Sequence, residues 1–510
     1  MNRTRLCSFA LIAATLTPFV ASAGGETGKV EIRVVERGQD SPVSCRIHLK
    51  DAAGKPHWPE GLPFWRDHFV CGGSVQLELP VGKYTYEIDR GPEYQIRAGT
   101  ITVTNEGTAK VEVGMERLVD MAAEGWWSGD LHVHRPLDDI ELLMRAEDLY
   151  VAPVITWWNN RNLWANRELP SKLLTSFDKN RFYHAMSGED EREGGALLYF
   201  HLDRPMVISP ASREFPSPMQ FLTEARRHRG VWVDIEKPFW WDVPIWLASG
   251  QVDSIGLANN HMCRDQMYET EAWGKPRDTE RLPAPRGNGY WSQKIYYHIL
   301  NCGLRIPPSA GSASGVLPNP VGYNRVYTYP SSEMNYESWW AALRDGRSFV
   351  TNGPLLRVRA NDELPGTVFS GPAGKQLVLN IQAKLTGRDP MSSVEIIKNG
   401  KVERLVSFED WTKTGNLGSL TFDASGWFLV RAIAENPKTF RFASTAPFYV
   451  EVGETRRRVS RSSAQFFLDW VNERAGRVKL DDVQQREEVL RHHDMARQYW
   501  QRVVDGATAN

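Results

Sequence analysis

Two histidines one residue apart, in Ser128-Gly129-Asp130-Leu131-His132-Val133-His134, are the strongest chemical signal in this chain. Alternate side chains of a strand project to one face, so the two imidazoles can share a single metal ion. The run enters from Gly125-Trp126-Trp127 and leaves through Arg135-Pro136, where a short strand gives way to a loop. The plainer alternative is a histidine pair on an exposed β-hairpin.

Other reactive side chains recur where apolar segments end. These are Thr156-Trp157-Trp158-Asn159-Asn160, Gly188-Glu189-Asp190-Glu191-Arg192, Asp234-Ile235-Glu236-Lys237-Pro238 with Phe239-Trp240-Trp241-Asp242 behind it, and Asn259-Asn260-His261. Singly, each has an ordinary explanation: a solvated acidic turn, a hydrogen-bonded loop histidine, or tryptophans packed on a sheet. Four such clusters at one end of one sheet mark a functional site, because catalytic groups of α/β folds gather where the strands finish.

Residues 126–353 alternate strand and helix patterns, the mark of a parallel α/β sheet or barrel. Seven strand ends are expected, at 129–134, 152–160, 185–192, 231–237, 254–261, 305–314 and 347–352, with helices over 140–149, 219–227, 290–300 and 336–343. On either side, 28–116 and 355–452 show short alternating segments such as Val75-Gln76-Leu77-Glu78-Leu79, punctuated by turn residues, and each predicts a small antiparallel sandwich. Lys398-Asn399-Gly400-Lys401 predicts a hairpin turn. The tail, 462–505, has helical spacing in Phe466, Phe467, Trp470 and Val471 and again from Val483 to Val503, which predicts a helical hairpin with its His492-His493 pair on the surface. Trp339-Trp340 is expected in the core.

Residues 1–23 combine Arg3 and Arg5, an apolar run and Ala21-Ser22-Ala23, the pattern of a secretory signal that leaves a periplasmic or extracellular protein beginning near Gly24. Its loss removes two arginines and no acids, moving the formal charge from −1 to −3. A near-neutral balance argues against a nucleic-acid partner, and no later segment reaches the length of a membrane span. Of the remaining cysteines, Cys45 with Cys71 and Cys263 with Cys302 is the simplest pairing in an oxidising compartment, two further connectivities and reduced thiols staying open. There is no G-x-G-x-x-G dinucleotide loop and no P-loop.

The stretch Trp127 to Asn352 carries Gly-Asp-Leu-His-Val-His, the Gly188-Glu189 strand end and the closing Gly346-Arg347-Ser348-Phe349-Val350-Thr351-Asn352-Gly353-Pro354. In these it resembles the PHP-like metallohydrolases of the CehA/McbA type. The resemblance implies a distorted (β/α)7 barrel between the two sandwiches, holding a metal cluster that activates water against ester, carbamate or phosphoester bonds. His132 and His134 match the family's first motif and Glu189 its acidic ligand. Other ligand positions are replaced: Trp157 to Asn160 stand for Asp-His, Lys237-Pro238 for His-Pro, and Gly311-Ser312-Ala313-Ser314-Gly315 for Gly-x-Asp-x-His.

These replacements predict a reduced site. Lys237 puts a fixed positive charge where a cation would sit, so about one divalent ion per chain, zinc or manganese, is expected on His132, His134, Glu189 and His261. Glu236 or Glu191 would take the proton from water, while Lys237 and Arg192 would stabilise developing negative charge. Asp130 and Asp234 would orient an imidazole or the lysine. Equally open is a Lys237 that merely pairs with Glu236 or Asp234. Trp157, Trp158, Trp240 and Trp241, with Asn160, would line the mouth for a small molecule or glycan. The competing readings are a metal-free barrel that binds a glycan, or one that cleaves it with paired carboxylates from Glu189, Glu191 and Glu236. The oligomeric state is open.

Overall fold

A computed structural model describes residues 26–208, 210–407, 409, 411–412 and 415–510. The expected leader, 1–23, lies outside the described residues.

The N-terminal region pairs a three-stranded sheet with a five-stranded one. In Ser74–Pro80 every second residue is buried, so Val75, Leu77 and Leu79 face inward beside Ile47 and Ile101. Period-two hydrophobicity makes these strands, since only a pleated chain turns that pattern into one apolar face.

The centre is a large mixed sheet closed on itself. Trp127–Gly129, Val151–Trp158 and Arg181–Arg192 run parallel, as do Trp232–Ile235, Ser254–Ala258 and Pro308–Ala310. Between the two parallel groups Gly195–Phe200 runs antiparallel to both neighbours, a hairpin return from Arg192. Arg325–Thr328 and Ser348–Thr351 are antiparallel as well. The expected parallel sheet is therefore corrected to a mixed one: Gly194-Gly195 permits a tight turn into a strand not expected from the sequence, ahead of the expected helix, with Gly195 taking a φ of 118°. The sheet continues into the C-terminal region, where Phe442–Thr445 pairs with Ser348–Thr351, and a three-stranded sheet packs beside it. Asn399 and Gly400 take positive φ in the expected hairpin turn.

The helices form at Ile140–Ala146, Pro218–Ala225, Gly287–Asn301 and Tyr336–Arg344, close to expectation, and a further one spans Val243–Ser249. Tyr336–Arg344 starts on a capping box, Ser338 N–H donating to Asn335 Oδ1 at 2.8 Å and Asn335 N–H to Ser338 Oγ at 2.9 Å. Its Trp339 and Trp340 are buried. The tail is a helical pair, Arg461–Ala475 and Val483–Asp505, with Trp470 and Trp500 buried against the body and Trp500 Nε1–H donating to Pro244 O. His493 is buried on that interface with Nδ1 3.1 Å from Val489 O, a correction to its expected surface position.

The four cysteines among the described residues are buried free thiols. Cys45 and Cys71 do face one another across adjacent strands, with Sγ atoms 3.9 Å apart, well beyond a bond of about 2.05 Å. Cys263 instead donates to Asn260 O, and Cys302 closes the helix Gly287–Asn301. No helix among the described residues is long and apolar enough to cross a membrane.

Candidate metal centre

Beyond Gly129 the chain continues between two neighbours, Val133 bridging Val154 on one side and Ser314 on the other. Val133 is buried in a satellite core, so strand alternation turns His132 and His134 to the opposite face together. The crowding is tight. A Cβ on Gly311 would lie 2.4 Å from His132 Cβ, and one on Gly315, at φ 100°, would lie 2.5 Å from His134 O. Glycine at 311 and 315 thus admits the histidine segment.

Glu189 arrives from the neighbouring strand, where Trp158 is its register partner and Trp157 partners Gly188. A Cβ on Gly188 would fall inside the Trp157 indole, so only glycine leaves the two strands this close.

His132, His134 and Glu189 converge as one group that could hold a metal ion. His132 Nε2 lies 2.9 Å from His134 Nε2, and Glu189 Oε2 lies 3.4 Å and 3.2 Å from these two nitrogens. Three ligand atoms each about 2.0–2.2 Å from a common ion stand roughly 3.0–3.5 Å apart, so the triangle has the right size. It also has the right chemistry: two ring nitrogens and a carboxylate oxygen are donors a divalent ion accepts. Burial disfavours a charged His132, yet the Glu189 and Glu236 carboxylates outweigh it and hold its pKa up at about 10. Burial lowers His134. Against its own burial, Glu189 is held well below the usual carboxylate range by the two imidazoles.

Behind the triangle Glu236 Oε1 faces His132 Nδ1 at 3.5 Å. Every other direction around this carboxylate is occupied: Lys237 Nζ donates to both oxygens, Asn260 Nδ2–H to Oε1 at 2.7 Å, and Trp240 Nε1–H to Oε2 at 2.8 Å. Burial would raise Glu236, but Lys237 and His132 hold it down at about 2. Glu236 is thus a fully engaged anion, and Lys237 neutralises it at ion-pair distance beneath the Trp240 ring, 4.6 Å from its centroid.

Glu191 lies two residues along from Glu189 and shares its face. Asn159 pins its backbone reciprocally, Asn159 Nδ2–H donating to Glu191 O at 2.8 Å and Glu191 N–H to Asn159 Oδ1 at 2.9 Å. Burial, then the charge of Glu189, push the Glu191 carboxyl up to about 8. Trp158 completes this side, 5.4 Å from the His134 ring.

Several expected contributors are elsewhere. Arg192 falls on the opposite face of its strand, paired with Asp190 at 2.5 Å and donating to Pro216 O, so it does not reach the site. Trp157 is buried in the core, stacked 6.0 Å from Tyr199. Trp241 lines a separate cavity of about 840 Å³ with Trp273, Glu214 and Lys479, under the Arg477 guanidinium. Asn160 is exposed in the turn after Trp158, and Asn159 makes the contact instead. His261 lies outside the three-ligand group, between the rings of Phe239 and Tyr268, with Nδ1 buried and unpartnered; burial and the Lys237 charge push it down to about 3. Asp130 holds backbone rather than an imidazole, accepting from the amides of His132, Ser312 and Gly322. Asp234 accepts from Ser254 and Ser309, and burial raises it to about 7.

Asn159 and Asn260 are the residues whose roles the sequence did not give. Their only signal was position just past strands that neighbour the ones carrying Glu189 and Glu236.

A second group, His48, Asp67 and His68, could also hold a metal ion by composition. It sits on the N-terminal sheet, where Arg264 Nη1–H donates to His48 Nε2 at 3.1 Å.

No family model matches this chain, and no curated protein does. Among solved structures the Bacillus anthracis TIE protein aligns at 20% identity and a TM-score of 0.15, covering 22% of this chain and 20% of that one, which carries no argument about fold or function.

Proposed function

We propose that this protein is an exported, divalent-metal-dependent hydrolase of the PHP-like CehA/McbA type, with a reduced metal site on His132, His134 and Glu189 that acts on an ester, phosphoester or related bond. The observation that carries the reading is the triangle of two Nε2 atoms and one carboxylate oxygen with edges of 2.9, 3.2 and 3.4 Å. A divalent ion there supplies Lewis acidity and brings the pKa of a water toward neutrality.

The chain's own residues divide the remaining work. Glu236 faces His132 Nδ1, which leaves Nε2 as the ligand atom, the usual service of a carboxylate behind a metal-binding histidine. Because Lys237, Asn260 and Trp240 already occupy Glu236, it is a positioning residue and not the proton acceptor. Glu191 is then the carboxyl placed to carry a proton at its Oε atoms, on the same face as Glu189. Trp158 is the aromatic surface available to a substrate, one of the four expected; Trp240, expected beside it, is 1% exposed, stacked on Trp273 with Lys237 over its ring. The paired-carboxylate glycosidase reading is weakened by the same geometry, since Glu189 and Glu236 are both committed to histidines.

The test is elemental mass spectrometry of the mature protein beside the His132→Ala/His134→Ala variant, with hydrolysis of aryl esters and aryl phosphoesters measured on both. Metal held by the parent and lost with activity in the variant is expected. Metal-free protein after reloading with zinc and manganese, or activity undiminished in the variant, overturns the proposal.

A further inference from the structure

Where the N-terminal sheets, the central sheet and the C-terminal region meet, the chain encloses a cavity of about 50 Å³. Five guanidiniums line it, Arg46, Arg264, Arg325, Arg388 and Arg441, against the three carboxylates of Asp89, Glu147 and Asp389. Asp89 accepts from Arg46 at 2.5 Å and Arg388 at 2.6 Å, Glu147 accepts from Arg46, and Asp389 accepts from Arg441 at 2.7 Å. Arg264 turns to Glu87 and, at 3.3 Å, to the exposed Asp265.

Arg325 is different. It is 1% exposed, and among the described residues no carboxylate lies within ion-pair distance of it. Its Nε–H donates to Gly322 O at 2.5 Å, and both terminal nitrogens donate to the Glu147 backbone oxygen at 3.2 Å. Space is cleared around it, because a Cβ on Gly91 or Gly322, both at positive φ, would come within 3.0 Å of Arg325 Nη2. Two further N–H groups of the cavity wall, Arg46 Nε and Arg441 Nε, are buried without a partner. A buried cation lacking a counter-charge, beside unpaired donors, is unfavourable in a folded protein unless something else completes the site.

We propose that this cavity binds a small monovalent inorganic anion of the halide class, which balances Arg325 and joins the three parts of the chain. Glu87 and Asp265 are both spent on Arg264, so Arg325 is the one lining guanidinium without a carboxylate at ion-pair distance among the described residues, and a single negative charge answers it. The volume admits a halide with about one or two waters. The site also lies directly behind the metal-ligand strand: the Gly322 amide in its wall donates to Asp130 Oδ2, while Asp130 Oδ1 holds the His132 amide.

The test uses bromide as the probe. Crystals of the mature protein grown in sodium bromide should show one anomalous peak inside the cavity, within hydrogen-bond reach of the Arg325 guanidinium. Thermal unfolding should move up saturably by about 2–4 °C in chloride or bromide over gluconate at matched ionic strength. Arg325→Met should lose that dependence. Water alone in the bromide crystals overturns the proposal, as does a sulfate or phosphate taking the cavity in preference to bromide. The crystallographic arm uses the unaltered chain and stands even where Arg325→Met does not fold.

Discussion

The two histidine–carboxylate groups of this chain have nearly the same donors and opposite arrangements. At the central sheet, His132 and His134 turn Nε2 atoms toward each other and toward Glu189 Oε2. On the N-terminal sheet, His48 and His68 each direct Nδ1 to a different oxygen of Asp67, both at 3.0 Å. Arg264 already donates to His48 Nε2, and Lys50 approaches Asp67 at 3.4 Å. Arg264 has carboxylate partners in Glu87 and Asp265, and Lys237 has one in Glu236, but only Arg264 also occupies a ring nitrogen of its histidine group.

The largest effect that separates the two groups is in bound metal. His132→Ala/His134→Ala should lose it altogether, while His48→Ala/His68→Ala should keep the parent content; equal loss in both variants, by elemental analysis, would erase the distinction. Next comes charge. Lys237→Met leaves Glu236 buried without its cation, and chemical denaturation should show a loss of about 3–5 kcal/mol. Lys50→Met, at a half-exposed pair, should cost well under about 1 kcal/mol.

The N-terminal group should show itself in acid. Burial, followed by the charges of Arg46 and His48, pushes His68 down to about 3 against 6.5 when unfolded, in spite of Asp67. The folded state therefore binds fewer protons between those values. The His68 contribution is intact above pH 6.5 and declines as pH falls toward 3, by about 2 kcal/mol at pH 5. Denaturation midpoints across that range should flatten in His68→Asn, and an unchanged slope would remove His68 as the cause. Glu236→Gln keeps shape and should weaken metal binding about 10–100-fold without abolishing it. Competition with a chelator measures it.

How much of this was legible beforehand depended on periodicity. His132 and His134 stood out because a two-residue spacing fixes a common face whatever the surrounding fold. Glu189 stood out as the acid after Gly188 at a strand end. The same alternation misled where clusters were read whole: Glu189 and Glu191 face the site while Asp190 and Arg192 face away, and Trp158 faces it while Trp157 is core. One unit of register separates a site residue from a packing residue, and no local pattern set that register.

The sequence by itself determined the strand and helix patterns, the histidine pair and the concentration of acids and tryptophans at strand ends, because each follows from local spacing. The tertiary structure decided that the central sheet is mixed, that Glu236 is spent on Lys237, Asn260, Trp240 and His132, and that Arg325 lies buried with no carboxylate. Those outcomes depend on which distant residue fills the space around a charge. A chain read residue by residue carries the charges but not the distances between them, and distance governs whether a charge is paired, joins a ligand set or stands without a carboxylate.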